Sequence, residues 1–402
     1  MVELRHVKAL SSMAQSCSGI GDCRTAYRQA LGWYGVCPMV DHTPGFEPYY
    51  ARGKIRAIRG ILEGKIEPSE GFARVMYHCT TCGACKAVCH VSGVAQITWP
   101  TSKYIDHTRL FEAVRTDLVE LGLGPMPRHR EILDWARREH NPYMEKHEDK
   151  FRWASGRELR SRADVFFFTG CTGPYRMPAV CQDVYDVAAA AGVSLAVSPD
   201  EWCCGSIALR VGDRGLAETL ARHNLEVFEK AEAKTIVTHC AGCYRTIKKD
   251  YPEILGELPF EVLHVTELLA RLVEDGRLEL TEGELTVTYH DPCHLGRHCE
   301  VYEEPRRLIG SAPGVKLVEM KRNRSGALCC GAGGGVKSAF PELALSIARE
   351  RLAQAKETGA RLLLSACPFC ERNLSDAGAA NPSLKVQVKD VSSFLKERLK
   401  MK

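Results

Sequence analysis

No run in this sequence approaches the roughly 20 apolar residues that a helix needs to span a bilayer, so no membrane span of its own is expected. Met1 to Leu10 holds no apolar segment of the kind found in a secretory signal. Charge of one sign is scarce as well: 54 basic residues stand against 50 acidic ones, a net +4. Nucleic-acid binders usually concentrate a basic face, so no nucleic-acid partner is expected. The small basic clusters, Arg128-His129-Arg130, Arg137-Arg138 and Lys321-Arg322-Asn323-Arg324, read first as solvated surface and second as a docking face for an acidic protein. A convincing nucleotide or flavin motif is also missing. Gly331-Ala-Gly-Gly-Gly-Val begins at a cysteine pair and lacks the fuller spacing of a dinucleotide loop, so any flavin would belong to a partner.

Cysteine is too sparse, at 19 of 402 residues, for a secreted disulfide scaffold of this size. The cysteines present are grouped as CxxC and CC. In a chain without a secretory signal that grouping reads as metal ligation in a reducing compartment. The expected location is the cytoplasm, with any tie to the inner membrane made through a partner.

One cysteine pattern occurs twice. Cys171, Cys203-Cys204-Gly205 and Cys240-Ala-Gly-Cys243 are followed by Cys293, Cys329-Cys330-Gly331 and Cys367-Pro-Phe-Cys370. The offset drifts only from 122 residues (Cys171 to Cys293) to 127 (Cys243 to Cys370), which marks duplication within one chain. Thiolate sulfur suits iron–sulfur clusters. Each copy offers five thiols, two of them vicinal, where a cubane takes four and tetrahedral zinc has no use for such a set.

Residues 1–120 read as a mostly helical domain, with helices expected over 51–63 and 108–121. Gly122 to Pro127 breaks the pattern, and 121–162 is a linker with a charged helical stretch over 128–150. From Asp164 strands and helices alternate. Strands are expected to deliver Cys171, Cys240, Cys293 and Cys367 from their C-terminal ends, where parallel sheets build sites. Two α/β domains follow, over 163–278 and 283–400, facing each other about a pseudo-twofold.

The repeated pattern resembles the paired cysteine-rich CCG domains of heterodisulfide reductase catalytic subunits, of the D-subunit type, over residues 164–395. The resemblance implies two noncubane [4Fe-4S] clusters, each on five cysteines. One would use Cys171, Cys203, Cys204, Cys240 and Cys243, the other Cys293, Cys329, Cys330, Cys367 and Cys370. It also implies that a disulfide is held between them, one sulfur to an iron on each side, and leaves as two thiols after two successive electrons. Cys204 and Cys330 would stand at the reacting site. His239, His290 and His294 lie beside cluster cysteines. Any of the three, His239 and His294 first, would give protons to the leaving thiolates, or else orient the ligands and tune their potential. Cys181 and Cys299 fall outside both motifs and read as buried structural thiols.

Cys79-x2-Cys82-x2-Cys85-x3-Cys89 is a ferredoxin run, with His90 where proline is usual. In two-cluster ferredoxins the fourth cysteine crosses to the other cluster. Crossed pairing puts Cys37, Cys79, Cys82 and Cys85 on one [4Fe-4S] cubane and leaves Cys17, Cys23 and Cys89 for a second site. Ile20 sits where that site's middle ligand belongs, and Cys17-x2-Ile20-x2-Cys23 is similar to the three-iron motif of succinate dehydrogenase iron–sulfur subunits. The expected centre is [3Fe-4S]. An atypically ligated [4Fe-4S] cluster with an oxygen or histidine donor, Asp22 being nearest, and an empty site stand beside it as alternatives. The stretch from Cys17 through Tyr50-Ala-Arg-Gly-Lys-Ile-Arg is also similar to the iron–sulfur subunit of FAD-linked glycolate and D-lactate oxidases, where a separate flavoprotein oxidises a 2-hydroxy acid.

The expected fold class is α+β multidomain: an N-terminal α-helical ferredoxin domain followed by two duplicated α/β CCG domains. The expected function is an iron–sulfur electron-transfer subunit. A flavoprotein or other redox subunit would feed its N-terminal clusters, and the noncubane pair would reduce a disulfide. The alternative is a non-catalytic relay in a flavin-containing anaerobic complex or in a glycolate or lactate oxidase. A disulfide takes two electrons, so a site fed by one-electron carriers needs storage, which two clusters facing one cleft would provide.

Overall fold

The duplicated cysteine pattern is matched by two sheets of identical order. The computed structural model describes residues 4–25, 35–89 and 105–400. Its first sheet comprises β1 (Val165–Phe168), β2 (Leu195–Ala196), β3 (Thr235–Thr238) and β4 (Glu261–His264), ordered β2-β1-β3-β4. The second comprises β5 (Leu285–His290), β6 (Val315–Leu317), β7 (Leu362–Ser365) and β8 (Gln387–Asp390), ordered β6-β5-β7-β8. All pairings are parallel. β1 and β7 carry the buried runs Phe166-Phe167-Phe168 and Leu362-Leu363-Leu364, as strands covered on both faces do.

The fourth strand of each sheet lies outside the sequence expectation. β4 and β8 run without Gly or Pro straight into the helices Val265–Glu274 and Val391–Glu397, so no punctuation separates the two periods. Instead the last strand residue caps the helix: His264 accepts from the Thr266 N–H, and Asp390 from that of Ser392 at 2.7 Å. The helices expected over 51–63 and 108–121 are Ala51–Leu62 and His107–Glu120. The stretch expected to be helical over 128–150 is not one helix. Pro127–Glu139 stops where His140 turns to φ 58° ahead of Asn141-Pro142, because a residue before proline disfavours the helical region.

The chain divides into two compact units. One contains Met1–Glu131, Ile207–Arg214 and Lys321–Arg351, the other Ile132–Ser206, Gly215–Met320 and Leu352–Lys402. In the second unit, helix Pro178–Ala190 packs on Val391–Glu397, and Val265–Glu274 packs on Glu303–Gly310. The first and last of these are counterparts in the duplication, as are the two between them. The contacts are therefore exchanged equivalents, the mark of a twofold relation.

The first unit packs Ile55, Ile58, Met76, Leu110, Phe111 and Val114 into one core. Arg115 is fully buried beside it and donates to the carbonyls of Met76, Cys79, Arg210 and Gly334 at 2.8, 2.8, 2.6 and 2.9 Å. One guanidinium thus ties together the separate segments of that unit. No described helix is long and apolar enough to cross a membrane.

Candidate metal centres

The first unit holds seven N-terminal cysteines in two groups. The loop from Cys17 to Cys23 turns through two left-handed glycines, Gly19 at φ 77° and Gly21 at φ 98°, a region open mainly to glycine. Arg52 fills the remaining space. Its Nη1 donates to the Gly19 carbonyl at 3.1 Å, and a Cβ on Gly21 would lie 2.7 Å from it. Glu47 holds the guanidinium at 2.8 Å. Cys17, Cys23 and Cys89 line one cavity with Ile55, Ile105 and His107. Burial pushes the Cys23 thiol up to about 12, and like charge on Cys17 and Cys89 adds to the effect. Ile20 is 58 % exposed.

Cys37, Cys79, Cys82 and Cys85 form the other group. Burial raises Cys37, followed by the charges of Cys82 and Cys79. Burial also raises Cys85, with Cys82, Cys79 and Cys37 adding to it. Lys54, nearly fully buried, donates to the Pro48 and Tyr49 carbonyls at 3.1 and 2.8 Å. Burial lowers its ammonium to about 8, although Cys79 and Cys37 favour the charge. None of the nineteen cysteines is bridged in a disulfide. Clustered thiols, with Cys23, Cys37 and Cys85 kept from ionising by burial, form a donor set that bound iron would deprotonate outright. That chemistry fits an iron–sulfur cluster. His90 lies outside the described residues.

In the second unit the strand register aligns the cysteine turns. Phe168 lies opposite Thr238 and His290 opposite Ser365, so the turns to Cys171 and Cys240 leave one sheet side by side, as do those to Cys293 and Cys367. A row of sulfurs results. Cys171, Cys203, Cys204, Cys243, Cys240, Cys367 and Cys370 follow one another closely enough for each thiol to shift the ionisation of the next. Cys240 and Cys367 are duplication counterparts, so the row passes from one copy to the other where equivalent thiols meet. Cys203 is held well below the ordinary thiol range by its donors Cys171 and Cys204, and Cys240 by Cys243 and Cys367.

Each vicinal pair is followed by a left-handed glycine. Gly205 (φ 81°) and Gly331 (φ 90°) send their N–H groups to Cys203 and Cys329 Sγ, each at 3.4 Å. Cys329 and Cys330 fall in the first compact unit. There Gly333 and Gly334 lie against the Thr80 and Cys79 carbonyls, so the missing side chains serve close backbone approach.

His239 is fully buried, with Nε2 4.0 Å from Cys181 Sγ. Burial lowers it to about 4, which leaves the ring neutral. His294 Nε2 lies 3.5 Å from Arg245 Nη1. Burial raises the Cys181 thiol and pushes Cys299 up to about 12. The basic clusters are not open rows of charge. Arg137 pairs with Asp134 at 2.9 Å, Arg128 pairs with Glu131, and His129 is buried against the Gly335 carbonyl.

Three buried charge groups escaped sequence reasoning. Lys150 and Glu201 pair at 2.6 Å with almost no exposure. Glu201 also accepts the Thr169 and Gly170 N–H groups at 2.8 and 2.9 Å, bracing the turn to Cys171. Arg306 forks onto both Asp291 and Glu319, just before Cys293. Glu371 and Asp390 are buried near Cys367. Burial and then Asp390 push Glu371 up to about 8, and burial pushes Asp390 up to about 7. Only Glu371, one helical turn after Cys367, carried any sequence signal.

A cysteine-rich domain family matches residues 165–248 and again 287–375, and a 4Fe-4S dicluster domain family matches 13–93. Over 99% of this chain and 97% of the relative, the sequence is 40% identical to the D subunit of a dihydromethanophenazine:CoB–CoM heterodisulfide reductase from Methanosarcina barkeri. The protein of the same name from Methanosarcina mazei is 38% identical over the same shares. A hypothetical protein from Helicobacter pylori of known structure shares the fold, with a TM-score of 0.59, 8% identity and coverage of 90% of this chain and 71% of that one.

Proposed function

Given that the chain belongs to the family of heterodisulfide reductase D subunits, we propose that its two five-cysteine motifs reduce a disulfide with electrons from a partner redox protein. The chain is an iron–sulfur electron-transfer subunit. Its relatives are named as subunits, which supports a partner, a flavoprotein or another redox protein, that delivers electrons singly. Residues 1–120 would receive them, 121–162 would connect, and the domains over 163–278 and 283–400 would carry the chemistry.

Cys37, Cys79, Cys82 and Cys85 would hold a [4Fe-4S] cubane. Cys17, Cys23 and Cys89 would hold a cluster short of one thiolate, either [3Fe-4S] or [4Fe-4S]. Cys171, Cys203, Cys204, Cys240 and Cys243 would hold one noncubane cluster, and Cys293, Cys329, Cys330, Cys367 and Cys370 the other. Bound there, such clusters supply one-electron carriers and iron able to take substrate sulfur. The overall change consumes two electrons and two protons and turns one disulfide into two thiols.

The observation that carries this reading is the sulfur row joining the two copies at Cys240 and Cys367. A pure relay needs one path, whereas a disulfide needs two adjoining thiophilic sites. Glu201 and Lys150 hold the Cys171 turn, and Gly205 holds the Cys203 turn. His239, buried and neutral, is suited to orienting ligands. His294 is the better placed of the two histidines to pass a proton, being slightly exposed beside Arg245.

The test is anaerobic iron and sulfide quantitation with electron paramagnetic resonance, with and without added thiol under oxidation. A thiol-dependent signal that disappears in Cys204→Ser or Cys330→Ser is expected. Clusters that titrate but ignore thiols would make the chain a relay and sink the reductase reading.

A further inference from the structure

The cavity lined by Cys17, Cys23 and Cys89 offers three thiols, and the residue at the place of a fourth, Ile20, is largely exposed to solvent. One further metal donor reaches that cavity from outside the cysteine motifs. His107, the first residue of helix His107–Glu120, lines it and is 2 % exposed. Its Nδ1 is fully buried and has no hydrogen-bond partner among the described residues. The ring also lies beside the Ile105 backbone. A buried imidazole nitrogen without a hydrogen-bond partner, lining a cavity with three thiols, is placed to ligate metal. A buried polar atom left so is otherwise destabilising.

The mount of this ring is rigid and is tied to the third thiol. Asp106 caps the helix, accepting the Thr108 and Arg109 N–H groups, both at 3.1 Å. Its other oxygen pairs at 2.7 Å with Lys86, three residues before Cys89. The turn that presents His107 and the segment that presents Cys89 are thereby fixed to each other. Asp22 also rims the cavity, but it is only half-buried and makes another interaction.

We propose that His107 Nδ1 supplies the fourth ligand of this centre, making it a [4Fe-4S] cluster on three thiolates and one imidazole. The proposal rests on the reading that residues 1–120 bind clusters, and it decides against a three-iron centre. Replacing a thiolate by neutral imidazole removes one negative charge from the ligand set, and such replacement raises cluster potential. The centre would then be the more easily reduced of the two N-terminal clusters.

The experiment uses the full chain, purified anaerobically and reconstituted with iron and sulfide. Pulsed paramagnetic resonance of the reduced protein is compared between natural-abundance and isotopically labelled histidine, with no substitution needed. A strong nitrogen coupling that changes with the label is expected. His107→Ala should lose that coupling and show the signal of an oxidised three-iron centre. His107→Cys should keep four irons, lose the coupling and lower the midpoint potential. A three-iron signal in the fully reconstituted unsubstituted chain would overturn the proposal, as would a coupling untouched by His107→Ala or lost only in Asp22→Asn. Absence of both N-terminal cluster signals would overturn the underlying reading instead.

Discussion

Alanine placed after each vicinal cysteine pair should cost different amounts in the two copies. Gly205 and Gly331 share a left-handed backbone, at φ 81° and 90°, and an L side chain in that region is strained by about 1–2 kcal/mol. Their surroundings differ. A Cβ on Gly205 would come to 3.3 Å from Ala217, a contact that small shifts relieve. On Gly331 it would lie 2.6 Å from the Ala344 carbonyl oxygen and 2.9 Å from the Ile347 Cβ, which yields only if helix Pro341–Lys356 moves. Overpacking of that kind adds about 1–3 kcal/mol. Gly205→Ala is therefore expected to destabilise by about 1–2 kcal/mol and Gly331→Ala by about 2–5 kcal/mol. Both variants keep the N–H that reaches cysteine sulfur, so steric fit alone separates them. Denaturant midpoints of anaerobically purified proteins, read by circular dichroism beside iron content, measure the difference. Equal midpoints, or a larger loss in Gly205→Ala, would refute the reasoning.

Lys150→Met leaves the buried Glu201 carboxylate without its cation and should cost about 3–5 kcal/mol. Adding Glu201→Gln should recover part of that loss in a double-mutant cycle by urea unfolding, and simple additivity would remove the pair from the account. Arg52→Gln should release the loop around Gly19 and Gly21 and lower iron at the Cys17–Cys23–Cys89 centre while the other N-terminal cluster's spin count holds; equal loss at both would contradict it. Asp390 and Glu371 are raised to about 7 and about 8, so the fold favours their neutral forms. The stability they contribute is complete below about pH 4 and is lost as pH rises through 7 to 8. Asp390→Asn should flatten the fall in melting temperature between pH 5 and 8, and an unchanged slope would count against a buried neutral carboxyl.

The sequence was most legible where one requirement dominated. Phe166-Phe167-Phe168 and Leu362-Leu363-Leu364 read as buried strands, and the cysteines beyond them read as a site, because parallel sheets leave little else at those positions. β4 and β8 were not legible, since Val262-Leu263 and Val388 continue into helical residues without a break. The charged stretch after Pro127 concealed a stop that Asn141-Pro142 signalled. Lys150 looks like any other surface charge until its partner 51 residues away comes into contact. His107 carries no local motif at all. Its place beside Cys17, Cys23 and Cys89 is a product of the tertiary fold.

Arg115 sets a schedule for the synthesis of this chain. Its last acceptor, the Gly334 carbonyl, is 219 residues downstream. At roughly 5–20 residues per second a ribosome takes about 10–45 s to produce it. The cysteines between positions 17 and 89 are made early, yet the unit that shelters them cannot close until most of the polypeptide has emerged. During that interval the nascent thiols stand open to iron delivery and equally to oxygen. A product truncated before Gly334 would leave that interval without an end.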